Sequence, residues 1–202
     1  DRDVRQRERA RRAGFYPSVL ERLRQRPDVE AASLTVGLAF TGFTSQVIEV
    51  PGRTLPPQLS GSDAFVNVVT ADYFKTVGTR IVRGRAFTDA DRAGSAPVAI
   101  IDETMASSIW PNEDAIGKCF RAEGHACAEI VGIAADARHF RLREKPSPSF
   151  YIPFGQDSRL GGVTLLVRPR GGASEVMAAV KQELIALDPT ITFVDAGLLQ
   201  IG

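Results

Sequence analysis

The chain has 202 residues, of which 44% are apolar and 24% charged, with a formal net charge of +1 and a mean hydropathy of −0.07. These values are typical of a globular chain with one or two domains, and they exclude disordered and fibrous classes. No run approaches the roughly 18 apolar residues of a membrane-spanning helix, and no charged segment followed by an apolar one indicates a signal peptide.

The charge is distributed unevenly along the chain. Residues 1–26 contain nine Arg and four acidic residues, a net charge of +5, which leaves −4 for the remainder. A basic segment could bind nucleic acid or anionic lipid headgroups. Its aromatic residues are limited to Phe15 and Tyr16, which lie beside an apolar helical stripe. The segment therefore lacks the aromatic residues interleaved with basic ones that are typical of single-strand nucleic-acid binding. A solvated helix face is the simplest interpretation, and no nucleic-acid partner is expected.

The first section of the chain predicts one helix followed by three strands. A helical pattern runs to about Arg26, is interrupted between Gly14 and Pro17, and ends at Pro27-Asp28. Turns that contain Gly and Pro separate the strand-like runs that follow. These runs predict strands at Val29–Val36, Gln46–Val50 and Phe65–Val69.

Short helices alternate with strands in the middle section, residues 70–145. The helical spacing of Tyr73 and Val77 predicts a short helix. Thr70 would be its N-cap, and Gly78 stands where a helix-terminating glycine is expected. Strands are predicted at Pro97–Ile101 and Ala128–Ala134.

Acidic residues of the middle section stand where helices are expected to begin. Thr88 and Asp91 have the spacing of a capping box. Asp89, Asp102 and Glu103 also fit helix starts, where a negative charge stabilises a helix by about 0.3–1 kcal/mol. Helix starts explain these carboxylates without a catalytic role.

The last section predicts a strand, a helix and a further strand. The helix begins after Gly171-Gly172 with Ser174 as its N-cap and ends at Asp188-Pro189. Its apolar face consists of Val176, Val180, Leu184 and Leu187. The strands of this section are predicted at Ser149–Pro153, Val163–Arg168 and Ile191–Val194.

Cys119 and Cys127 bracket a short loop between two segments with strand character. Such close spacing favours a disulfide in an oxidising compartment, where it would stabilise the fold by about 2–3 kcal/mol. Two buried thiols are the alternative in a reducing compartment. A zinc site with His125 and His139 is disfavoured, because the spacing does not match the usual Cys and His ligand patterns.

The sequence offers no catalytic, cofactor-binding or metal-binding set. The nearest approach to a phosphate-binding loop, Asn112–Cys119, has Asn for the first Gly and Cys for the final hydroxyl residue. Dinucleotide, zinc-protease and nucleophile-elbow motifs are missing, and the chain has two histidines. We therefore expect that the chain is neither an ATPase nor another enzyme.

A series of ordered landmarks lies between Val69 and Phe120. The landmarks are Tyr73-Phe74, Gly78, Gly84-Arg85, Phe87-Thr88-Asp89, Asp102-Glu103, Trp110-Pro111 and Gly117-Lys118. This series resembles the periplasmic core domain of MacB-type ABC transporter permeases. The resemblance continues through Glu129–Ile133, Asp136–His139 and Pro146–Pro153, so it covers most of the chain.

The resemblance implies an α+β fold with two subdomains. Residues 1–69 and 146–202 would form a porter-like α/β layer, and residues 70–145 an inserted mixed subdomain called Sabre. The chain would cross between them near Thr70 and near Lys145-Pro146. Because proline stiffens the backbone, these crossings would form a hinge-like waist.

The resemblance also implies a non-catalytic domain on the periplasmic face of the bacterial inner membrane. It would couple ATP hydrolysis by a separate ABC ATPase to periplasmic movement, for export or mechanotransmission. Its partners would be flanking transmembrane helices, an adaptor protein, and a second domain in a dimer or pseudo-dimer. The segments Phe87–Gly94 and Ala137–Phe140 most resemble the second periplasmic region of permeases that carry two.

Two other classes of function stay open. One is a ligand-binding or sensing module. A pocket of about 300 Å³ or more with convergent polar groups would support it. The other is a small hydrolase, for which the sequence offers no recognisable nucleophile.

Overall fold

The computed structural model of the chain has the predicted α+β architecture, and its strands form one large sheet. It describes residues 10–36, 44–55, 64–122, 125–136, 147–157 and 162–189, together with residues 3, 6, 7 and 197. The α-helices in these residues are α1 Tyr16–Arg24, α2 Tyr73–Val77, α3 Glu103–Ile109 and α4 Ala173–Leu187. The strands are β1 Val29–Val36, β2 Thr44–Gln46, β3 Ile48–Glu49, β4 Ala64–Val69, β5 Ile81–Gly84, β6 Val98–Asp102, β7 Cys119–Ala122, β8 Ala128–Ala134, β9 Ser149–Pro153 and β10 Thr164–Pro169. A π-helical turn, Arg11–Phe15, precedes α1 and overlaps the predicted interruption, and a 3-10 turn, Phe154–Gln156, follows β9.

The strand order is β10-β1-β4-β9-β6-β8-β7-β3, with β2 also paired to β4 and β5 to β8. β4 pairs with β9 and β6 with β8 in parallel, and the other pairs are antiparallel. β9 lies between β4 and β6, and all five of its residues are buried. A strand that is covered on both faces has a nearly continuous apolar sequence, which is why its bounds are predictable.

Neighbouring residues of the central strands point to opposite faces of the sheet and belong to different clusters of the core. Ile101 and Phe150 pack in a cluster with α3 on one face. Ile100 and Tyr151 pack in a cluster with α2 on the other face. A third cluster joins α1 and α4 to β1 and β10.

Core packing crosses both of the predicted subdomain boundaries. β9, from the last section, pairs with β4 of the first section and with β6 of the middle section. The cluster under α3 contains Val66, Ile101 and Phe150, one residue from each section. The two-subdomain division stays a prediction, and a motion of the middle section relative to the rest would have to open the pairing of β6 with β9.

Contacts from outer strands hold both ends of α2. The expected N-cap, Thr70, is wrong, because its Oγ1 accepts a hydrogen bond from the N–H of Leu34 at 3.0 Å, and Asp72 is the N-cap. Gly78 ends the helix as predicted, with φ of 78°, and a Cβ there would lie 2.6 Å from the guanidinium of Arg168. Arg168, in β10, donates through Nε to a carbonyl of the last turn of α2 at 2.9 Å.

Of the other predicted helix starts, two are wrong and one is confirmed. Oδ2 of Asp91 accepts a hydrogen bond from the N–H of Thr88 at 2.8 Å, but the residues that follow form turns and no helix. α4 begins one residue before Ser174, which therefore lies inside the helix. Asp102 is the N-cap of α3, and its Oδ1 accepts from the N–H of Met105 at 2.7 Å.

One predicted strand is divided in the structure, one strand of the structure was not predicted, and one predicted strand lies outside the described residues. The strand predicted at Gln46–Val50 is divided into β2 and β3. β5 was not predicted, because Gly84 indicates a turn. A Cβ at Gly84 would lie 2.3 Å from the carbonyl oxygen of Val131, so its glycine permits the close approach of β8. The segment Ile191–Val194 lies outside the described residues.

Candidate functional site

Cys119 and Cys127 form a disulfide that closes the hairpin of β7 and β8. Their sulfur atoms are 2.02 Å apart and their Cα atoms 5.6 Å apart. β7 and β8 are antiparallel, with Phe120 opposite Ala128, so the chain reverses direction between the two cysteines. The predicted disulfide is confirmed. It replaces the free-thiol and zinc alternatives, because a disulfide leaves no thiolate as a metal ligand.

A cavity of about 350 Å³ lies beside this hairpin and is called the hairpin cavity below. Phe120 and Phe150 line it with rings that meet edge to face, 5.1 Å apart between centroids, and Ile152 lies next to them. All three belong to the cluster that α3 covers. α3 follows the carboxyl end of β6, whereas Pro97 and Ala128, which line the cavity, lie where β6 and β8 begin. The cavity is thus the part of this sheet face that lies beyond α3.

The polar side chains of the hairpin cavity are largely used within the fold. Oε1 of Gln156 accepts from the N–H of Val98 at 3.1 Å, and its Nε2 donates to Oγ of Ser95 at 2.8 Å and to a backbone carbonyl at 2.9 Å. These bonds fix the loop before β6 to the turn after β9. Two ionisable side chains, His125 and Asp157, also line the cavity. The cavity lining therefore combines apolar and ionisable groups.

A groove of about 700 Å³ runs along α1 and is more open to solvent. Leu20, Leu34 and Phe154 contribute apolar surface to it. Charged side chains, among them Arg24 and Asp89, line its other parts. Because long charged side chains change rotamer readily, this groove is a less defined site than the hairpin cavity.

Arg side chains of the basic N-terminal segment pair with acidic residues of the fold. The pairs are Arg11 with Asp188, Arg22 with Glu183, Arg24 with Asp72, and Arg26 with Asp28, at N–O distances of 3.2, 3.3, 2.8 and 2.7 Å. The pair of Arg11 and the pair of Arg22 join the N-terminal helical segment to the end of α4 and to α4 itself. The pair of Arg24 joins α1 to the start of α2. The positive charge of this segment is therefore partly neutralised within the molecule.

Asp102 is a buried carboxyl group at the end of β6. Burial raises the pKa of Asp102 to about 7, and the nearby charge of Asp136 acts in the same direction. Asp136 itself accepts hydrogen bonds at 2.8 Å from the N–H and from the hydroxyl of Thr104. Glu103 is exposed, so Asp102 and Glu103 do not form a buried catalytic pair. The described residues hold no group of three or more His, Cys, Asp and Glu side chains that could bind a metal ion.

The hinge candidates are only partly within the described residues. Thr70 is bound to Leu34 twice, because its N–H donates to the carbonyl at 3.1 Å and its Oγ1 accepts from the N–H at 3.0 Å. Lys145 and Pro146 lie outside the described residues, as does His139. Among the described helices, none combines the length and apolar character needed to cross a membrane.

Residues 2–187 match the protein family described as the MacB-like periplasmic core domain. Macrolide export ATP-binding/permease protein MacB 1/2 of Paracoccus denitrificans (strain Pd 1222) is 26% identical over 171 residues, which are 81% of this chain and 23% of that protein. Macrolide export ATP-binding/permease protein MacB 2 of Aeromonas hydrophila subsp. hydrophila is 24% identical over 119 residues, 59% of this chain and 18% of that protein. The chain thus spans less than a quarter of the length of these relatives.

Solved structures show the same fold. The periplasmic region of MacB from Actinobacillus actinomycetemcomitans superposes with a TM-score of 0.60 at 18% identity, covering 84% of this chain and 72% of that one. The extracellular domain of the noncanonic ABC-type transporter YknZ from Gram-positive bacteria superposes with a TM-score of 0.56 at 16% identity, covering 84% of this chain and 81% of that one.

Proposed function

Because the chain belongs to the MacB-like periplasmic core domain family, we propose that it is the non-catalytic periplasmic domain of an ABC transporter permease. Its role is to couple ATP hydrolysis by a separate nucleotide-binding domain or subunit to movement on the periplasmic face of the inner membrane. The family match over residues 2–187 carries this proposal. The transported substrate of the relatives is not carried over to this chain.

The arrangement of the outer helices supports coupling. α1 lies near one end of the chain and α4 near the other, and they pack together on β1 and β10. Arg22 and Arg26 both approach Glu183 of α4, at 3.3 and 3.8 Å. Membrane helices attached at the two ends would therefore pull on one layer, and the sheet would carry the displacement to the rest of the domain.

The same proposal implies partners for this domain. A second domain, in a dimer or pseudo-dimer, would approach or separate as ATP is bound and hydrolysed, and an adaptor protein would receive the displacement. The assignment to the second of two periplasmic regions in one permease stays a prediction.

A distance measurement in the full transporter tests the coupling. Met177 on α4 is 38% exposed, so a Met177→Cys variant can carry a spin label without disturbing the core. We expect the distance from this label to a label on the partner domain to change when ATP is added. A transporter whose ATPase cannot bind ATP is the control. An unchanged distance in the active transporter would contradict coupling, as would ATP hydrolysis by the 202-residue chain alone.

We also retain the hinge as a proposal, and the pairing of β6 with β9 provides a test of it. If residues 70–145 move as a body about Thr70 and Lys145-Pro146, the pairing of β6 with β9 has to open during the motion. Amide hydrogen exchange measures this opening directly. Exchange of the β6 and β9 amides at a lower free energy than global unfolding would support the hinge. Exchange only by global unfolding would exclude it.

The hairpin cavity meets one of the two criteria for the second class of function, a ligand-binding or sensing module. Its volume of about 350 Å³ lies within the range of about 300–1,000 Å³ typical of small-molecule sites. The criterion of convergent polar groups is not met by Gln156, whose side chain is bonded within the fold.

A further inference from the structure

Two carboxyl groups from different elements hold the start of α3. Asp102, the last residue of β6, accepts a hydrogen bond from the N–H of Met105 at 2.7 Å. Asp136, which lies just beyond the end of β8, accepts at 2.8 Å from both the N–H and the hydroxyl of Thr104. We propose that Asp102 and Asp136 form a pH-dependent switch, in which ionisation of Asp102 releases Asp136 from Thr104.

The side chain of Asp102 cannot reach water when it ionises. The residue is 0% exposed, and its Oδ2 has no hydrogen-bond partner among the described residues. Burial, with a smaller contribution from the charge of Asp136, raises the pKa of Asp102 to about 7, although hydrogen bonds from Met105 and Ser149 act in the opposite direction. Because a buried charge without a partner of opposite sign is costly, ionisation of Asp102 is unfavourable beside a second carboxylate.

The described neighbours of Asp102 do not offset its charge. The salt bridges of the described residues all involve other carboxylates. Burial raises the pKa of Tyr151 in β9 well above its usual range and that of Tyr73, whose ring contacts Tyr151, to about 12, so both stay neutral near pH 7. Glu103 of α3 is exposed to water. The charge that acts on Asp102 is therefore that of Asp136.

Asp136 is the member of the pair that can move. It is exposed, so its carboxylate can exchange Thr104 for water at little cost, whereas Asp102 is enclosed by the sheet and α3. At acidic pH Asp102 is protonated and Asp136 stays bound to Thr104. At alkaline pH both are charged, and release of Asp136 relieves the repulsion. The start of α3 is thus held more firmly in acid, and this switch does not depend on the coupling proposed above.

Amide hydrogen exchange of the 202-residue chain, followed by NMR and corrected for the intrinsic pH dependence of exchange, tests the switch. Coupling between two sites changes an equilibrium constant by about 5–150-fold, so protection of the Thr104 N–H should fall by at least about 5-fold between about pH 6 and about pH 8. The midpoint should coincide with the titration of the Asp102 carboxyl carbon resonance. The N–H of Trp110, which donates to the carbonyl of Ala106 at the other end of α3, should lose less protection.

Two substitutions separate the members of the pair. Asp102→Asn keeps an acceptor for the N–H of Met105 but cannot ionise, so protection of Thr104 should be the same at both pH values. Asp136→Asn removes the second charge, so the pKa of Asp102 should fall. Because Asp136 is exposed, this variant serves if Asp102→Asn does not fold.

Two control variants exclude other titrating groups. Glu103→Gln removes the exposed carboxyl next to Asp102 and should keep the pH dependence of Thr104. His139 follows Asp136 closely in sequence, outside the described residues, and a histidine ordinarily titrates near pH 6.5, about the same range. His139→Gln should also keep the pH dependence.

Four results would overturn the proposal. The first is equal protection of Thr104 at both pH values in the unmodified chain. The second is an equal loss at Thr104 and Trp110, which would mean that the whole helix loosens. The third is a pH dependence that persists in Asp102→Asn or disappears in His139→Gln, because another group would then titrate. The fourth is an unchanged pKa of Asp102 in Asp136→Asn, which would show that the two carboxyl groups are not coupled.

Discussion

The central strands and the outer helical layer of this molecule are held by different means. Every residue of β6 and β9 is buried, and their side chains fill clusters on both faces of the sheet. In α4, by contrast, the buried residues are Val176 and Val180, and the contact with α1 includes exposed ion pairs. A rigid platform that carries a more loosely attached layer is suited to receive displacements at that layer.

Truncation of one side chain in each region gives the largest expected contrast. Phe150 in β9 is fully buried, so Phe150→Ala should lower the free energy of unfolding by about 3–5 kcal/mol. Val180 in α4 is 9% exposed, and Val180→Ala, which removes two methyl groups, should cost about 1.5 kcal/mol. Urea denaturation of both variants measures the difference. Equal losses would show that the outer layer is packed as tightly as the centre.

Sequence patterns predict the central region better than the outer contacts. β8 and β9 have the predicted bounds, because each is a mainly apolar run of strand length. The Cys119–Cys127 pairing is predictable because few residues separate the two positions. These features depend on residues that are near in sequence.

Features that depend on distant residues are not predictable in this way. Thr70 has the residue type and position of an N-cap, but its hydroxyl accepts a hydrogen bond from the N–H of Leu34 in β1. β5 exists because β8 pairs with it, although Gly84 indicates a turn. Strands and loops that are distant in sequence line the hairpin cavity, and no motif marks it.

Titration of Asp102 gives the next largest effect, at the end of a central strand. Its pKa is raised to about 7 in the folded chain, whereas an unfolded Asp titrates near about 3.9. Between these values the native state holds a proton that the unfolded chain has released. The free energy of unfolding should therefore fall as pH rises from about 4 to about 7, by up to about 4 kcal/mol, and stay level above.

Asp102→Asn should remove this part of the pH dependence while keeping an oxygen that can accept from the N–H of Met105. Urea denaturation of both proteins at pH 5 and pH 8 measures the difference. Glu103→Gln, which removes an exposed carboxyl next in sequence, is the control. The same pH dependence in the Asn variant would show that Asp102 does not titrate in this range.

The disulfide belongs to neither region of the comparison, because it joins the two arms of the β7–β8 hairpin. Replacing both Cys119 and Cys127 by Ser should lower the free energy of unfolding by about 2–3 kcal/mol, since it frees a short loop in the unfolded chain. Non-reduced protein should also have a mass about 2 Da below that of the dithiol. Two freely alkylated thiols in protein from an oxidising compartment would refute the pairing.

The smallest effect is expected from the ion pairs of the outer layer. Arg24 and Asp72 join α1 to the start of α2 at an N–O distance of 2.8 Å, with side chains 36% and 38% exposed. Water screens such a pair, and ordering two side chains costs entropy, so a double-mutant cycle should give a coupling of about 0.2–1 kcal/mol. The cycle compares Arg24→Ala, Asp72→Ala and the double variant by urea denaturation at low and high salt, and the coupling should shrink as salt is added. A coupling of several kcal/mol that salt does not reduce would mean that the outer layer is fixed rigidly to the sheet, and the contrast between the two regions would fail.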